Sequence, residues 1–435
     1  MSLIKKSAAS LVLTAAAAAT SAAFAAGFQL TEQSSLGLGR AYAGAGIVGD
    51  DLSAVHYNPA GMTLLPGVQM QAGGVWIAVD APFKGKDFAG NSVEENGRLK
   101  GQMIPAGYIT RQVDDQLWLG FAMTVPFGMG TEYDENWAHG QRGTDSKIYT
   151  FDMNPSFAYK MNDFISFGGG VSVQYAKAEL GMRMPVAGQL VHANVEGDSW
   201  DWGYNFGVMI SPTDKLRFGL SYRSSIEHAA SGTTDVNIPV IMPGVSLGAL
   251  TMNSDVTIET PDTVMLTGTW EATEKLRLSG LVRWANWSKF KSLKLKNSGA
   301  IVDLVDVAIA GGAEVNSIRE VEVKNNWEDT WLFSVGADYK LNNSWTVRGG
   351  IAYEMDPIKD QTTRMAAIPD TDRLWLTLGS TYKYNDDLQF DVGAAYLKGI
   401  GDKDLYSHQG AGAIKVGEYD KLDCYMVGVQ MQYRF

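Results

Sequence analysis

Five histidines are the first candidates for chemistry: His56, His139, His192, His228 and His408. None forms a His, Cys and carboxylate cluster with metal-ligand spacing. Cys424 is the single cysteine, so no internal disulfide can form. His139 stands near Asp134 and Ser146, the three residue types of a nucleophilic triad. A triad is recognised by geometry, not by nearby letters, so this carries little weight. Catalysis is therefore not expected, and neither is a metal or another cofactor. Other positions are more telling. Arginines recur at alternate positions along apolar segments, the tripeptide Asn58-Pro59-Ala60 interrupts a glycine-rich stretch, and several long loops are apolar.

The arginines define the elements that must carry them. Leu216, Phe218, Leu220 and Tyr222 interleave with Arg217, Gly219, Ser221 and Arg223. Leu276, Leu278, Gly280, Val282 and Trp284 interleave with Arg277, Ser279 and Arg283. The same alternation surrounds Arg348 and Asp391. A period of two sets each row on its own face of a strand. Fourteen such strands are predicted, near 67–79, 101–113, 115–125, 147–161, 163–177, 198–211, 214–228, 255–270, 275–290, 327–341, 344–356, 371–384, 387–398 and 421–435. Short turns at 113–115, 161–163, 211–214, 271–274, 341–343 and 384–387 alternate with long loops at 80–100, 126–146, 178–197, 229–254, 291–326, 357–370 and 399–420. Short turns at one end, long loops at the other and an even strand count describe an outer-membrane barrel. A soluble propeller or sandwich would need a blade repeat or similar connections at both ends, and neither is present.

The first residues fit that destination. Lys5 and Lys6, an apolar run and Ala23-Phe24-Ala25 form a signal peptide, with cleavage expected after Ala25. Losing both lysines makes the formal charge of −12 two units more negative, which argues against a nucleic-acid partner. The expected domains are a leader at 1–25, an N-terminal plug at 26–65 and a barrel at 66–435. The segment 26–65 is too polar and glycine-rich to span a membrane. The last strand places Tyr425, Val427, Val429, Met431, Tyr433 and Phe435 on one face.

Several stretches then resemble one family. GFQLTEQSSLGLGRAYAGAG followed by DDLSAVHYNPAGM is similar to the N-terminal hatch of the long-chain fatty acid transporter (FadL) family of outer membranes, which includes toluene and other hydrocarbon channels. PFGMGTEYDENWAHGQRG resembles its third external loop, and IPDTDRLWLTLGSTYKYN the entry to its twelfth strand. The resemblance covers essentially the whole mature chain. It implies an all-β, 14-stranded antiparallel transmembrane β-barrel holding an N-terminal hatch, with a kinked third strand. It also implies passive transport, with a hydrophobic molecule caught outside and released sideways through the wall. The aromatic Phe435 resembles the signal read by the barrel assembly machinery.

These expectations assign residues. Asn58, Pro59 and Ala60 form a turn in the hatch and its gate. Gly120, Pro126, Phe127 and Gly128 mark a lateral opening, because Pro and Gly weaken ladder pairing. Phe127, Met129 and Trp137, with Ile241, Met242, Leu247 and Leu250 of the next apolar loop, are expected to bind ligand; a cap made by the two loops packing on each other is the alternative. Arg217, Arg277 and Arg348 are expected to seat the plug through Glu32, Asp50 and Asp51. By resemblance, Lys177 lies near a fatty acid head group, whereas Glu328 stands where a lysine is expected. A carboxylate there would repel a fatty acid anion and favour a neutral or aromatic hydrophobe. The expected partners are hydrophobic small molecules, outer-membrane lipid and lipopolysaccharide, with the barrel acting as a monomer. A polar porin, and an adhesin or phage receptor using the long loops, are the competing readings.

Overall fold

The structure is a computed structural model. It describes residues 27–87, 89–98, 101–133, 137–140, 143–186, 189–238, 248–299, 302–303, 319–366, 368–409 and 412–435. The first strands are β1 (Val68–Lys86), β2 (Ser92–Arg98), β3 (Gln102–Gln112), β4 (Leu117–Thr124), β5 (Gly128–Glu132), β6 (Asp145–Lys160) and β7 (Ile165–Val186). There follow β8 (Gln189–Thr213), β9 (Leu216–Arg223), β10 (Glu227–Ile238), β11 (Gly248–Glu259), β12 (Thr263–Glu271), β13 (Leu276–Ala285), β14 (Ser292–Ser298) and β15 (Glu320–Lys324). The last are β16 (Thr330–Lys340), β17 (Trp345–Glu354), β18 (Arg373–Lys383), β19 (Leu388–Gly399), β20 (Asp404–Gln409), β21 (Gly412–Tyr419) and β22 (Asp423–Arg434).

A closed antiparallel ring of fourteen strands runs β1-β3-β4-β6-β7-β8-β9-β12-β13-β16-β17-β18-β19-β22 and back to β1. The seam is a continuous register from Gln69↔Arg434 to Asp80↔Asp423. Closure gives every strand of the ring a neighbour on each side, as a sheet in lipid requires. The ladder continues beyond the ring on one side. There β10 pairs with β8 and β11, and β14 pairs with β11 and β15. Strand therefore occupies much of the predicted loops 178–197, 229–254 and 291–326. The hairpins β1–β2 and β20–β21 likewise lie within predicted loops.

Burial is inverted relative to a soluble sheet. Trp202, Leu220, Leu266, Val335, Leu378 and Val427 face outward and are exposed. Gln71, Asp152, Asn154, Thr267, Asp338, Arg348, Asp391 and Gln430 face inward and are buried. The polar row is buried because the segment 27–65 lies against it. That segment holds two single-turn helices, Ser35–Leu38 and Ala54–Tyr57, and a 3-10 turn, Pro59–Leu64. The close fit relies on missing side chains. A Cβ on Gly207 of β8 would come 2.1 Å from Asn58 Oδ1, and one on Gly350 of β17 would come 2.4 Å from the Arg40 backbone carbon.

Candidate functional site

The ring is interrupted at one height. β4 pairs with β3 from Gln112↔Trp118 to Gly107↔Met123, and with β6 as far as Thr124↔Asp152. Val125 and Pro126 then leave the ladder, Phe127 O still accepts from Thr150 N of β6 at 3.0 Å, and β5 resumes with β6 as its strand partner among the described residues. Across the gap, Gln102–Ala106 of β3 pair only with β1 among the described residues. Pro126 has no N–H to give a neighbouring strand. The kinked segment instead takes partners from inside. Leu30 N donates to Pro126 O at 2.8 Å, and Gly128 N donates to Phe28 O at 2.9 Å. Gln29 and Phe127 form an isolated bridge. The Gln33 side chain donates to Val125 O at 2.7 Å and accepts from Val125 N at 3.3 Å.

Pro126, Phe127 and Gly128 thus sit at the interruption. Gly120 does not: it pairs on both sides, with Thr110 and Ser156. Its missing side chain makes room for Met62, whose Sδ would be 2.4 Å from a Cβ there. Its role is close packing on the N-terminal segment rather than weak pairing. Val125, two residues on from Met123 in the row that includes the exposed Leu119, is only 7% exposed because the kink turns it inward.

Next to the kink is an aromatic cluster that the sequence reading missed. Phe28 meets Trp287 at 4.8 Å, Phe290 at 5.5 Å, Trp327 at 5.9 Å and Phe127 at 6.0 Å between ring centroids. Trp287 opens, and Phe290 caps, a short 3-10 turn at Trp287–Lys289, which breaks the strand period and hides the pair from a pattern search. An apolar cavity of about 40 Å³ lies against Phe290, lined also by Ile148, Leu180, Val256, Met365 and Asn325.

The predicted ligand residues divide. Phe127, Met129 and Trp137 are 4%, 0% and 3% exposed. Trp137 stacks on Tyr133 at 4.4 Å and meets Phe83 at 5.5 Å, so this loop is packed inward. Leu250 is partly buried against the same core. Ile241, Met242 and Leu247 lie outside the described residues, as does Asp134. Lys177 and Glu328 require correction. Lys177 belongs to the outward row of β7, with Tyr175, and its ammonium lies 2.6 Å from Glu196 and 2.9 Å from Glu179. Glu328 is exposed, while its neighbour Trp327 is the buried one. Strand alternation turns Lys177 away from the cavity, and Glu328, in the connection before β16, is exposed rather than among the cavity's lining residues.

The Asn58-Pro59-Ala60 turn is pinned from both sides. Asn58 Oδ1 accepts from Ala60 N at 3.1 Å, and Asn58 Nδ2 donates to Val208 O of β8 at 3.1 Å. Among the three predicted seat arginines, Arg277 contacts Asp50 at 3.0 Å and Arg217 donates to Val48 O at 3.4 Å. Arg348 instead bonds Asp338 at 2.9 Å, which also lies 3.5 Å from Arg40 of the N-terminal segment. Arg40, itself buried, contacts Asp50 at 2.8 Å and was not singled out from sequence. The two arginines beside Asp50 hold its carboxyl below the usual range despite burial. Arg283 donates to Thr31 at 2.6 Å, and Arg223 to His56 O at 3.0 Å. Asp51 does not reach a wall arginine; it accepts from Ser34 and from Ser53 N. Glu32 is 1% exposed, and neither oxygen has a hydrogen-bond partner among the described residues. Burial, with Glu354 adding to it, pushes its carboxyl up to about 8.

The chain matches the family described as "Outer membrane protein transport protein (OMPP1/FadL/TodX)" over residues 16–435. Outer membrane protein P1 of Haemophilus influenzae is 31% identical over 443 residues, covering 91% of each chain. A long-chain fatty acid transport protein of Salmonella typhi is 29% identical over 415 residues, covering 90% of this chain and 91% of the relative. In fold, the crystal structure of a Pseudomonas aeruginosa FadL homologue superposes with a TM-score of 0.79 at 24% identity, over 94% of this chain and 100% of that one. A Pseudomonas putida toluene transporter, TodX, gives 0.67 at 17% identity, over 88% and 94%. With a family match across nearly the whole chain and a relative 31% identical over 91% of it, this chain belongs to the OMPP1/FadL/TodX family of outer-membrane transport proteins.

Proposed function

We propose that this protein is a passive outer-membrane channel for hydrophobic small molecules of the classes named for its relatives, long-chain fatty acids or neutral and aromatic hydrocarbons. The leader 1–25 is removed, residues 26–65 plug the lumen, and 66–435 form the barrel. A lipophile is caught by the external loops, passes the apolar chamber beside Phe28 and Phe290, and leaves sideways at Pro126–Gly128. The barrel works as a monomer in a lipopolysaccharide-bearing membrane, and the assembly machinery reads its aromatic C-terminus. One observation carries this reading: the wall is interrupted at the third strand, beside a buried aromatic cluster. A polar lumen offers an apolar solute nothing, so a side exit into lipid is the favourable route.

Ala106→Trp tests it. Ala106 lies on the unpaired edge of β3 and packs against the plug, so the indole would fill the gap. Uptake of dodecane or toluene into proteoliposomes should fall at least tenfold, with ion conductance unchanged. Normal uptake would mean that the solute leaves along the barrel axis.

A further inference from the structure

The cavity beside Phe290 contains an anomaly. Asn325 lines it and is fully buried, at 0% exposure. Its backbone is satisfied: its N–H donates to Lys291 O at 2.8 Å, and its carbonyl accepts from Thr363 Oγ1 at 2.8 Å. Its side-chain amide is not. Among the described residues neither Oδ1 nor Nδ2 has a hydrogen-bond partner. A buried amide left unpaired is costly and calls for a partner. Ile148, Leu180, Val195, Val256, Ile258, Leu293 and Met365 leave little else polar around it, apart from the hydroxyl of Ser146.

Among the described residues that line the cavity, Glu179 is the one ionisable side chain. Its neighbours Ala178 and Leu180 face inward, and its own carboxylate lies 2.9 Å from Lys177 and 3.7 Å from Lys147. Glu179 therefore lines the cavity with its main chain. A bound carboxylate would meet no counter-charge here and would lose its hydration.

We propose that Asn325 reads the ligand's head group, and that the preferred ligand is a neutral hydrophobe carrying one hydroxyl or carbonyl. The amide can donate to a carbonyl or accept from a hydroxyl. An anionic fatty acid lacks its counter-ion, and a bare hydrocarbon leaves the amide unpaired. The cavity is about 40 Å³, too small for an acyl chain, so a ligand seats its head group there as flexible side chains such as Met365 move aside. This inference rests on the channel reading above.

The test uses the full-length mature protein in lipid nanodiscs, with 1-dodecanol, dodecane and dodecanoate as probes at pH 8. Binding is read from the fluorescence of Trp287 and Trp327 beside the site, with empty nanodiscs correcting for partition. Wild type should bind dodecanol about tenfold or more tightly than dodecane, the worth of one buried hydrogen bond, and dodecanoate more weakly than dodecanol. Asn325→Leu should erase the dodecanol advantage, raising dodecane binding to the level of dodecanol because no amide is left unpaired. Asn325→Lys should raise dodecanoate above dodecanol. Heat-modifiable gel mobility reports whether each variant is folded, and the wild-type ranking decides if a variant is not. Equal binding of dodecanol and dodecane, or of dodecanoate and dodecanol, by wild type would overturn the role of Asn325 while the channel reading stands. Failure of all three probes to bind would sink both.

Discussion

Single side chains show most clearly where sequence reading stops. The alternation around Arg217, Arg277, Arg283 and Arg348 was legible because it needs only a period of two. Lys177 and Glu328 were assigned by resemblance, and the same alternation carries Lys177 away from the cavity while Glu328 stays exposed. Asn325 was invisible, because an unpaired amide is a property of the packed state alone. Glu32 was legible as an acid in the plug, but not as one without a partner. It sits buried with Glu354, Arg283 and Arg373 nearest, and Tyr42, Tyr57 and Cys424 within its field. Its pKa is raised from 4.5 to about 8 when seated, so the seated plug binds a proton that the released plug does not. Seating is therefore fully favoured below about 4.5 and weakens as pH rises to about 8, by up to about 1.4 kcal/mol per unit. Hydrogen exchange of residues 27–40, read as protection factors so that the base-catalysed intrinsic rate cancels, should lose protection across that window in wild type and lose less in Glu32→Gln. A wild-type profile that gains protection with rising pH would contradict this sign.

Among the elements, the short turns were the most readable. Asp114 Oδ1 accepts from Gln116 N and Leu117 N, and Asn162, Asn342 and Asn385 repeat that pattern at their own turns. Thr213 and Thr273 do the same with their hydroxyls. These are local contacts, so sequence announces them. Strand lengths on the opposite side were underestimated. β7 and β8 run on to Val186 and back from Gln189, where the apolar row (Leu180, Met182, Val191, Val195) turns inward and is buried, the reverse of the lipid-facing pattern lower in the same strands. The seat of the Asn58 turn was also hidden, since it depends on glycines far away in sequence. Gly207→Val should lift the Pro59–Leu64 turn from the wall, because the space is occupied by Asn58. The expected result is a folded barrel with raised ion conductance; unchanged conductance with normal folding would mean that the turn does not seal the lumen.

For the molecule as a whole, the ring and its interior are separable in principle. Deleting 26–65 should leave a heat-modifiable barrel that leaks small ions freely, whereas unchanged conductance would remove any sealing role from the segment. The cost of deletion is exposure of a polar row to water, which is tolerable. The seam has another consequence. β1, which follows the inner segment directly, closes against β22, the last strand of the chain. Gly27 meanwhile lies deep inside, its N–H 2.6 Å from Asp370. Residues 27–65 are thus enclosed by a wall whose closing joint is made by the last strand of the chain. Enclosure of one end of the sequence is thereby completed by the other, and a bulky fusion ahead of Gly27 would have to share the enclosed space.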